Sequence, residues 1–264
     1  MVNTIKRALR RRGLQAGVLA VTAAISSVGF LPRDTYVQSA TRNVATWTAQ
    51  PDVPTTTVSD SASAGSSTAT AASASTGLPD LEHPRVESWI KRWTTSQRGS
   101  FATYLSRMTR YEDMIESKLD ERGMPRGLIY LAMIESGFNP KAKSPVKASG
   151  LWQFMGATGR EYGLVVNGRV DERNNPARST DAALKYLDRL YDRFGSWYLA
   201  AAAYNTGQGR VAKVLKQVTG KTRGTDEDFY RISHRLPQET RDYVPKLIAA
   251  ARIGSNPEQY GFTD

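Results

Sequence analysis

Seven consecutive apolar or aromatic residues, Leu128 to Ile134, run directly into Glu135, and this stretch constrains the fold more than any other. Pro125 just upstream suits a helical first turn, so a helix is predicted from Pro125 to about Ser136. A helix that is apolar on every side has to be wrapped by other elements. The rest of the chain offers them. Residues 100–121 carry Phe101, Tyr104, Leu105, Met108, Met114, Ile115 and Leu119 at helical spacing and stop at Gly123, a good helix terminator. A third helix is predicted over about Leu151–Tyr162. A fourth is capped by Ser179 or Thr180 and reaches Phe194, and a fifth is capped by Ser196 and ends at Asn205-Thr206-Gly207. The last starts at Pro237 and ends before Gly254, with Pro245 inside it as a kink. Val165-Val166 and Arg169-Val170 flank Asn167-Gly168, which predicts a small hairpin with a type I′ turn. No internal repeat is visible. The expected fold class is therefore all-α with one small β-hairpin, spanning residues 81–264.

The chain ahead of that unit reads differently. Residues 1–30 place a basic cluster, Lys6 to Arg12, before an apolar stretch from Leu14 to about Phe30. This is the pattern of a signal peptide or N-terminal anchor, and Gln15, Thr22, Ser26 and Ser27 weaken it as a permanent span. Residues 31–80 form a Ser/Thr/Ala-rich linker, poorest in apolar residues between Pro51 and Gly77, that cannot bury enough surface to offset chain entropy. An exported protein of the periplasm or cell envelope, with membrane attachment open, is the expectation. Of the net charge of +11, about +5 sits in residues 1–34. The remaining basic balance suits a polyanionic surface but does not by itself argue for nucleic acid. With no cysteine in the chain, disulfides, thiolate metal sites and a thiol nucleophile are excluded; two isolated histidines, His83 and His234, argue against zinc. The Asp171–Asn175 cluster lacks the calcium-loop pattern. No metal and no cofactor is expected.

Glu135 follows Leu128 by two helical turns and Leu131 by one, which puts it on an apolar face in the last turn of its helix. Burial and the negative end of the helix dipole both favour the protonated carboxyl, as a general acid working near neutrality requires. Taken alone, such a glutamate is more often a structural group paired with an arginine.

Three further stretches change that balance: Lys143 to Met155, with Gly150-Leu151-Trp152-Gln153-Phe154-Met155; Ala202-Ala203-Tyr204-Asn205; and Tyr243 before Val244-Pro245. Together with Glu135-Ser136, in this order, they resemble the SLT domain of lytic murein transglycosylases, most closely the membrane-bound D type, and are similar to goose-type lysozyme. The resemblance covers about Glu112 to Gly254. It implies a lysozyme-like helical domain in which Glu135 is the catalytic acid and base and Ser136 completes the signature. It further implies that Ser144 and Gln153 line the cleft and that Met155 packs beside the sugar. Tyr204 and Asn205 would hold the N-acetyl sugar and shape the floor, and the Tyr243 hydroxyl would approach Glu135. Trp152 stands where many relatives have Met, which the resemblance reads as an enlarged apolar wall. The duller readings are core packing for Met155 and Tyr204, helix capping for Gln153 and Asn205, and a turn start for Ser144.

Most glycosidases use two carboxyl groups; the resemblance implies one. Glu135 would protonate the oxygen between N-acetylmuramic acid and N-acetylglucosamine in peptidoglycan, the partner glycan. It would then take the proton of the muramoyl 6-hydroxyl as a 1,6-anhydro ring closes. The other acids nearby in sequence, Glu161, Asp171 and Glu172, lie in polar settings. Two alternatives stay open: a goose-type-lysozyme-like hydrolase of the same bond, and a non-catalytic peptidoglycan-binding module.

Overall fold

The structure is a computed structural model and describes residues 75–263, so the predicted signal segment and most of the linker lie outside the described residues. Among the described residues ten helices can be followed: α1 (Pro84–Thr94), α2 (Arg98–Met108), α3 (Glu112–Asp120), α4 (Ile129–Ser136), α5 (Gly156–Glu161), α6 (Pro176–Phe194), α7 (Trp197–Thr206), α8 (Gln208–Thr219), α9 (Asp226–Ser233) and α10 (Gln238–Ser255). Short 3-10 turns cover Arg126–Leu128, Glu172–Asn174 and Pro257–Tyr260. Among the described residues no helix is long and apolar enough to cross a membrane. The fold is all-α, as the periodicity predicts.

The apolar segment lands at the centre. Residues Leu128 to Met133 are each at most 5% exposed. The second central helix is α7, buried continuously from Tyr198 to Asn205. Its run Ala200–Ala203 has side chains small enough for neighbours to approach closely. α6 and α8 pack on α7, while α10 packs on α4, α7 and α1 and so touches both central helices. Gly254 shows how closely: a Cβ there would stand 2.2 Å from Cε1 of the Tyr130 ring. The predicted stop before Gly254 is thus incorrect, because this glycine makes room for Tyr130 inside α10 and the helix runs on to Ser255.

Other boundaries also move for local reasons. The predicted helix over 100–121 is two helices, broken at Thr109–Tyr111. α6 starts four or five residues earlier than predicted: Asn175 is the cap, accepting from Arg178 N, and Pro176 opens the first turn. Ser179 and Thr180 lie inside the helix, where their hydroxyls donate to Asn175 O and Pro176 O. Only Gly156–Glu161 of the predicted 151–162 helix is helical, because Ser149 and Phe154 exchange two backbone hydrogen bonds and turn the chain first.

The predicted hairpin is present as one antiparallel bridge, Val166 with Asp171, and does not extend into strands. Its turn is not type I′: neither Asn167 nor Gly168 has the positive φ that turn requires. The Asn167 side chain closes it instead, accepting from Arg169 N and Val170 N at 2.8 Å each.

The packed unit begins earlier than Leu81, where the sequence reading placed the end of the linker. Thr76 and Leu78 are buried at 5% and 3% exposure. Asp80 accepts from Arg252 Nε at 2.7 Å, and Glu87 accepts from the same guanidinium at 2.6 Å. Burial raises the pKa of Asp80 even beside Arg252. The composition of residues 31–80 hid this strap, since Thr76, Leu78 and Asp80 alone carry it.

Candidate active site

Glu135 is 2% exposed, one residue from the end of α4. The helix stops where Gly137 takes φ +57°, and there is no room there for a side chain: a Cβ would meet the Tyr104 ring at 2.3 Å. Phe138 follows at φ +54°, and Lys147 and Gln153 at +65° and +47°. Among the described residues these three are the only non-glycines in the left-handed region, and all fall within 18 residues after the glutamate. Strain of this kind persists only where surroundings over-determine it, and it gathers at functional sites.

Across from Glu135, α10 presents Tyr243, whose hydroxyl donates to Glu135 Oε1 at 2.7 Å. Tyr243 is 5% exposed. One turn earlier on α10, Glu239 Oε1 accepts from Asn205 Nδ2 at 3.0 Å, and the Thr240 hydroxyl donates to Asn205 Oδ1 at 2.8 Å. Both ends of the Asn205 amide are therefore held by α10, and the C-terminus of α7 is tied to the helix that carries Tyr243.

The loop from Ala142 to Met155 forms the other side. Ser136 Oγ donates to Leu151 O at 2.8 Å, linking the end of α4 to this loop. Gln153 is 2% exposed and its Nε2 donates to Gly150 O and Ala142 O. Ser144 Oγ accepts from Ala148 N. Half-buried Met155 stands at the start of α5. Beneath the loop, Arg173 is 9% exposed and donates to Lys147 O and Phe154 O at 2.8 and 2.9 Å while pairing with both oxygens of Asp171. Gly150 has to be glycine, because a Cβ would stand 1.8 Å from Arg173 O.

The predicted residues thus divide. Glu135 and Tyr243 meet directly, and Asn205 joins them through α10. Ser136, Ser144 and Gln153 spend polar atoms on the backbone of the loop, which makes them braces of the wall. Two expectations need correction. Tyr204 is fully buried and donates its hydroxyl to Trp152 O at 2.7 Å, so it props the floor from below and does not itself reach a sugar. Trp152 is also fully buried, with Nε1 donating to Thr180 Oγ1 at 3.0 Å, so it is core under the loop and not an apolar cleft wall.

The acids set aside in sequence are all engaged by cations: Glu161 by Arg189, Asp171 by Arg173 and Glu172 by Arg178. Sequence reading missed Glu239, Thr240 and Arg173. The first was legible as the residue four before Tyr243, hence on the same helix face. A cavity of about 290 Å³ opens elsewhere, between Tyr162, Arg178, Asp181 and Lys185, and contains none of the predicted site residues.

A helical domain with a buried glutamate at a helix end, gripped by a tyrosine of a packed helix, defines the class. Residues 113–226 match the family model described as "Transglycosylase SLT domain". The chain is 43% identical over 152 residues to the membrane-bound lytic murein transglycosylase D of Escherichia coli strain K12, covering 57% of this chain and 33% of that protein. It is 35% identical over 145 residues to the peptidoglycan transglycosylase gp16 of Escherichia phage T7 (54% and 10%). With the soluble lytic murein transglycosylase of Escherichia coli strain K12 it shares 30% over 146 residues (53% and 22%). A solved structure of the lytic transglycosylase Slt from Pseudomonas aeruginosa aligns with a TM-score of 0.45 at 25% identity, covering 57% of this chain and 25% of that one. The chain spans a third or less of the length of these three curated relatives.

If Tyr243 holds the catalytic carboxyl in place, Tyr243→Phe should lower kcat on the order of tenfold with little change in KM. The fold should lose only about 1 kcal/mol, the usual worth of one hydrogen bond. Steady-state kinetics and denaturant titration of the same preparation check both values.

Proposed function

We propose that the protein is a lytic transglycosylase that cleaves the bond between N-acetylmuramic acid and N-acetylglucosamine in peptidoglycan and leaves 1,6-anhydro ends. The observation that carries this reading is the Glu135–Tyr243 pair, a buried carboxyl aimed at the face of α10 with its orientation fixed at 2.7 Å. As acid, Glu135 gives its proton to the glycosidic oxygen as the bond to the muramoyl C1 breaks. The substrate's own N-acetyl group stabilises the cation that develops. As base, the ionised Glu135 takes the proton from the 6-hydroxyl as that oxygen bonds to C1, so no water is consumed. Supplying the nucleophile from the same sugar has the advantage of effective molarity. The neighbouring Glu239 is engaged with Asn205, which suits an orienting role. The SLT domain match and the transglycosylase names of the relatives support the same reaction. A place in the periplasm or cell envelope follows from that substrate, and attachment through residues 1–30 is part of the same reading.

The full chain incubated with purified sacculi should clear the suspension and release soluble muropeptides. Intact sacculi after prolonged incubation would refute the activity and leave the wall-binding module as the better reading.

A further inference from the structure

Glu239, Tyr243 and Lys246 follow one another on α10 at intervals of four and three residues, so they lie on one face of the helix. The first engages Asn205 and the second Glu135. The third belongs to no interaction described so far. Its side chain is half-buried, and its Nζ sits 4.5 Å from the centre of the Trp89 ring of α1. The guanidinium of Arg92 lies over the same ring at 4.7 Å. Trp89 packs at a tilt against Trp93, and Trp93 against Phe101, so the half-buried Trp89 ring is set against the core. Arg85 of α1 bonds Asp242 of α10 at 2.6 Å and locks the two helices together. The ammonium is therefore seated on a packed ring, one turn from the tyrosine that grips the catalytic carboxyl.

A cation held in a partly dry place is costly unless negative charge is near. Burial is the largest influence on Lys246 and lowers its pKa; Asp242 and Glu239 of its own helix and Glu135 of α4 oppose it, and Arg92 of α1 adds to it. Three carboxylates thus share the field of one ammonium. The reaction needs Glu135 to carry a negative charge in its second half, inside a region that otherwise disfavours charge. A fixed cation on the same wall lowers that cost without giving or taking a proton. Neither Trp89 nor Lys246 lies within residues 113–226, the stretch that matches the family model.

We propose that Lys246 is a positioning residue for the Glu135 chemistry: its ammonium, seated on the Trp89 ring, supplies the positive field that supports the ionised Glu135 beside Tyr243. This rests on the reading of Glu135 as acid and base. The full-length protein would be compared with Lys246→Met, which keeps an unbranched stem on the ring, and with Lys246→Arg, which keeps the charge.

Two readouts are needed. In the first, kcat and KM for peptidoglycan fragments are measured across pH. Lys246→Met should lose on the order of tenfold in kcat with KM changed less than about twofold. Its alkaline limb, where the general acid Glu135 ionises, should move to higher pH, and Lys246→Arg should bring that limb back. In the second, carboxyl carbons of ¹³C-labelled glutamate are titrated by NMR, with the Glu135 signal assigned by its loss in Glu135→Gln. That titration should move upward in Lys246→Met whether or not the protein cleaves glycan. An inert wild type with the NMR shift present would therefore count against the transglycosylase reading and not against the placement of Lys246. An unmoved Glu135 titration in a folded Lys246→Met would overturn the proposal. So would equal rate losses in the Met and Arg variants with the alkaline limb unmoved, which is the signature of a packing stem alone.

Discussion

Glu135→Gln is expected to lower the turnover of purified peptidoglycan at least about a hundredfold, the lower end of what a positioned general acid and base contributes. The effect should fall on kcat more than on KM, because the proton leaves and returns only as bonds break and form. Gln has the shape of Glu, can still accept from the Tyr243 hydroxyl, and removes an ionisable group from a position that is 2% exposed. The variant should therefore melt at or above the wild-type temperature. Activity and melting measured on one preparation separate the outcomes: near-normal turnover would remove Glu135 from the chemistry, whereas lost activity with a collapsed melting temperature would show only that the site no longer folds.

Arg173→Met should produce the largest loss of stability. Arg173 is the pillar beneath the Ala142–Met155 loop. Removing it takes the side-chain donor from Lys147 O, leaves Phe154 O with only its bond from Ser149 N, and leaves the Asp171 carboxylate without its partner. The guanidinium side chain is 11% exposed and Asp171 26%, so the full cost of breaking a buried pair is discounted for solvent at the aspartate. About 3 kcal/mol remains, the low end of the buried range. For a folded unit of this size that lowers the melting point by on the order of 10 °C. Hydrogen bonds from Arg173 hold the Asp171 pKa below the ordinary aspartate value of 3.8. A carboxylate whose pKa is depressed on folding stabilises the protein above its unfolded pKa and stops doing so as pH falls through the folded one. The difference between wild type and Arg173→Met should thus be undiminished at neutral pH and narrow only below about pH 3.8. A variant as stable as wild type at pH 7 would mean that the loop is held by something else.

What was legible in the sequence follows from the kind of signal each element sends. The apolar run at Leu128–Ile134 and the alanine-rich stretch before Asn205 are continuous, so their burial needs no knowledge of partners. The Glu135–Tyr243 pairing came from motif order alone, since 108 residues separate the two side chains. By contrast α1, α8 and α9 were missed. They are amphipathic surface helices, with charges as dense as those of a loop, and their caps are the only local markers. Thr225 and Asp228 form a reciprocal capping box at the start of α9 that reads clearly in retrospect. Tyr204 and Trp152 were misjudged because aromatic residues next to a motif look like ligand contacts. Only the tertiary structure shows their polar atoms turned inward, to Trp152 O and Thr180 Oγ1. The Asp80 strap was invisible for a similar reason: its partner Arg252 lies 172 residues away.

The central claim is that one carboxyl, with no activated water, cuts the glycan by ring closure on the substrate itself. Digestion of purified peptidoglycan by the full chain, followed by mass spectrometry of the muropeptides, addresses it directly. An anhydro end is lighter by one water than a hydrolysed reducing end. Predominantly anhydro fragments are expected, none of which appear with Glu135→Gln. Predominantly hydrated, reducing fragments would contradict it, and Glu239, the carboxylate bound to Asn205 one turn from Tyr243, would become the first residue to test as a water-activating base.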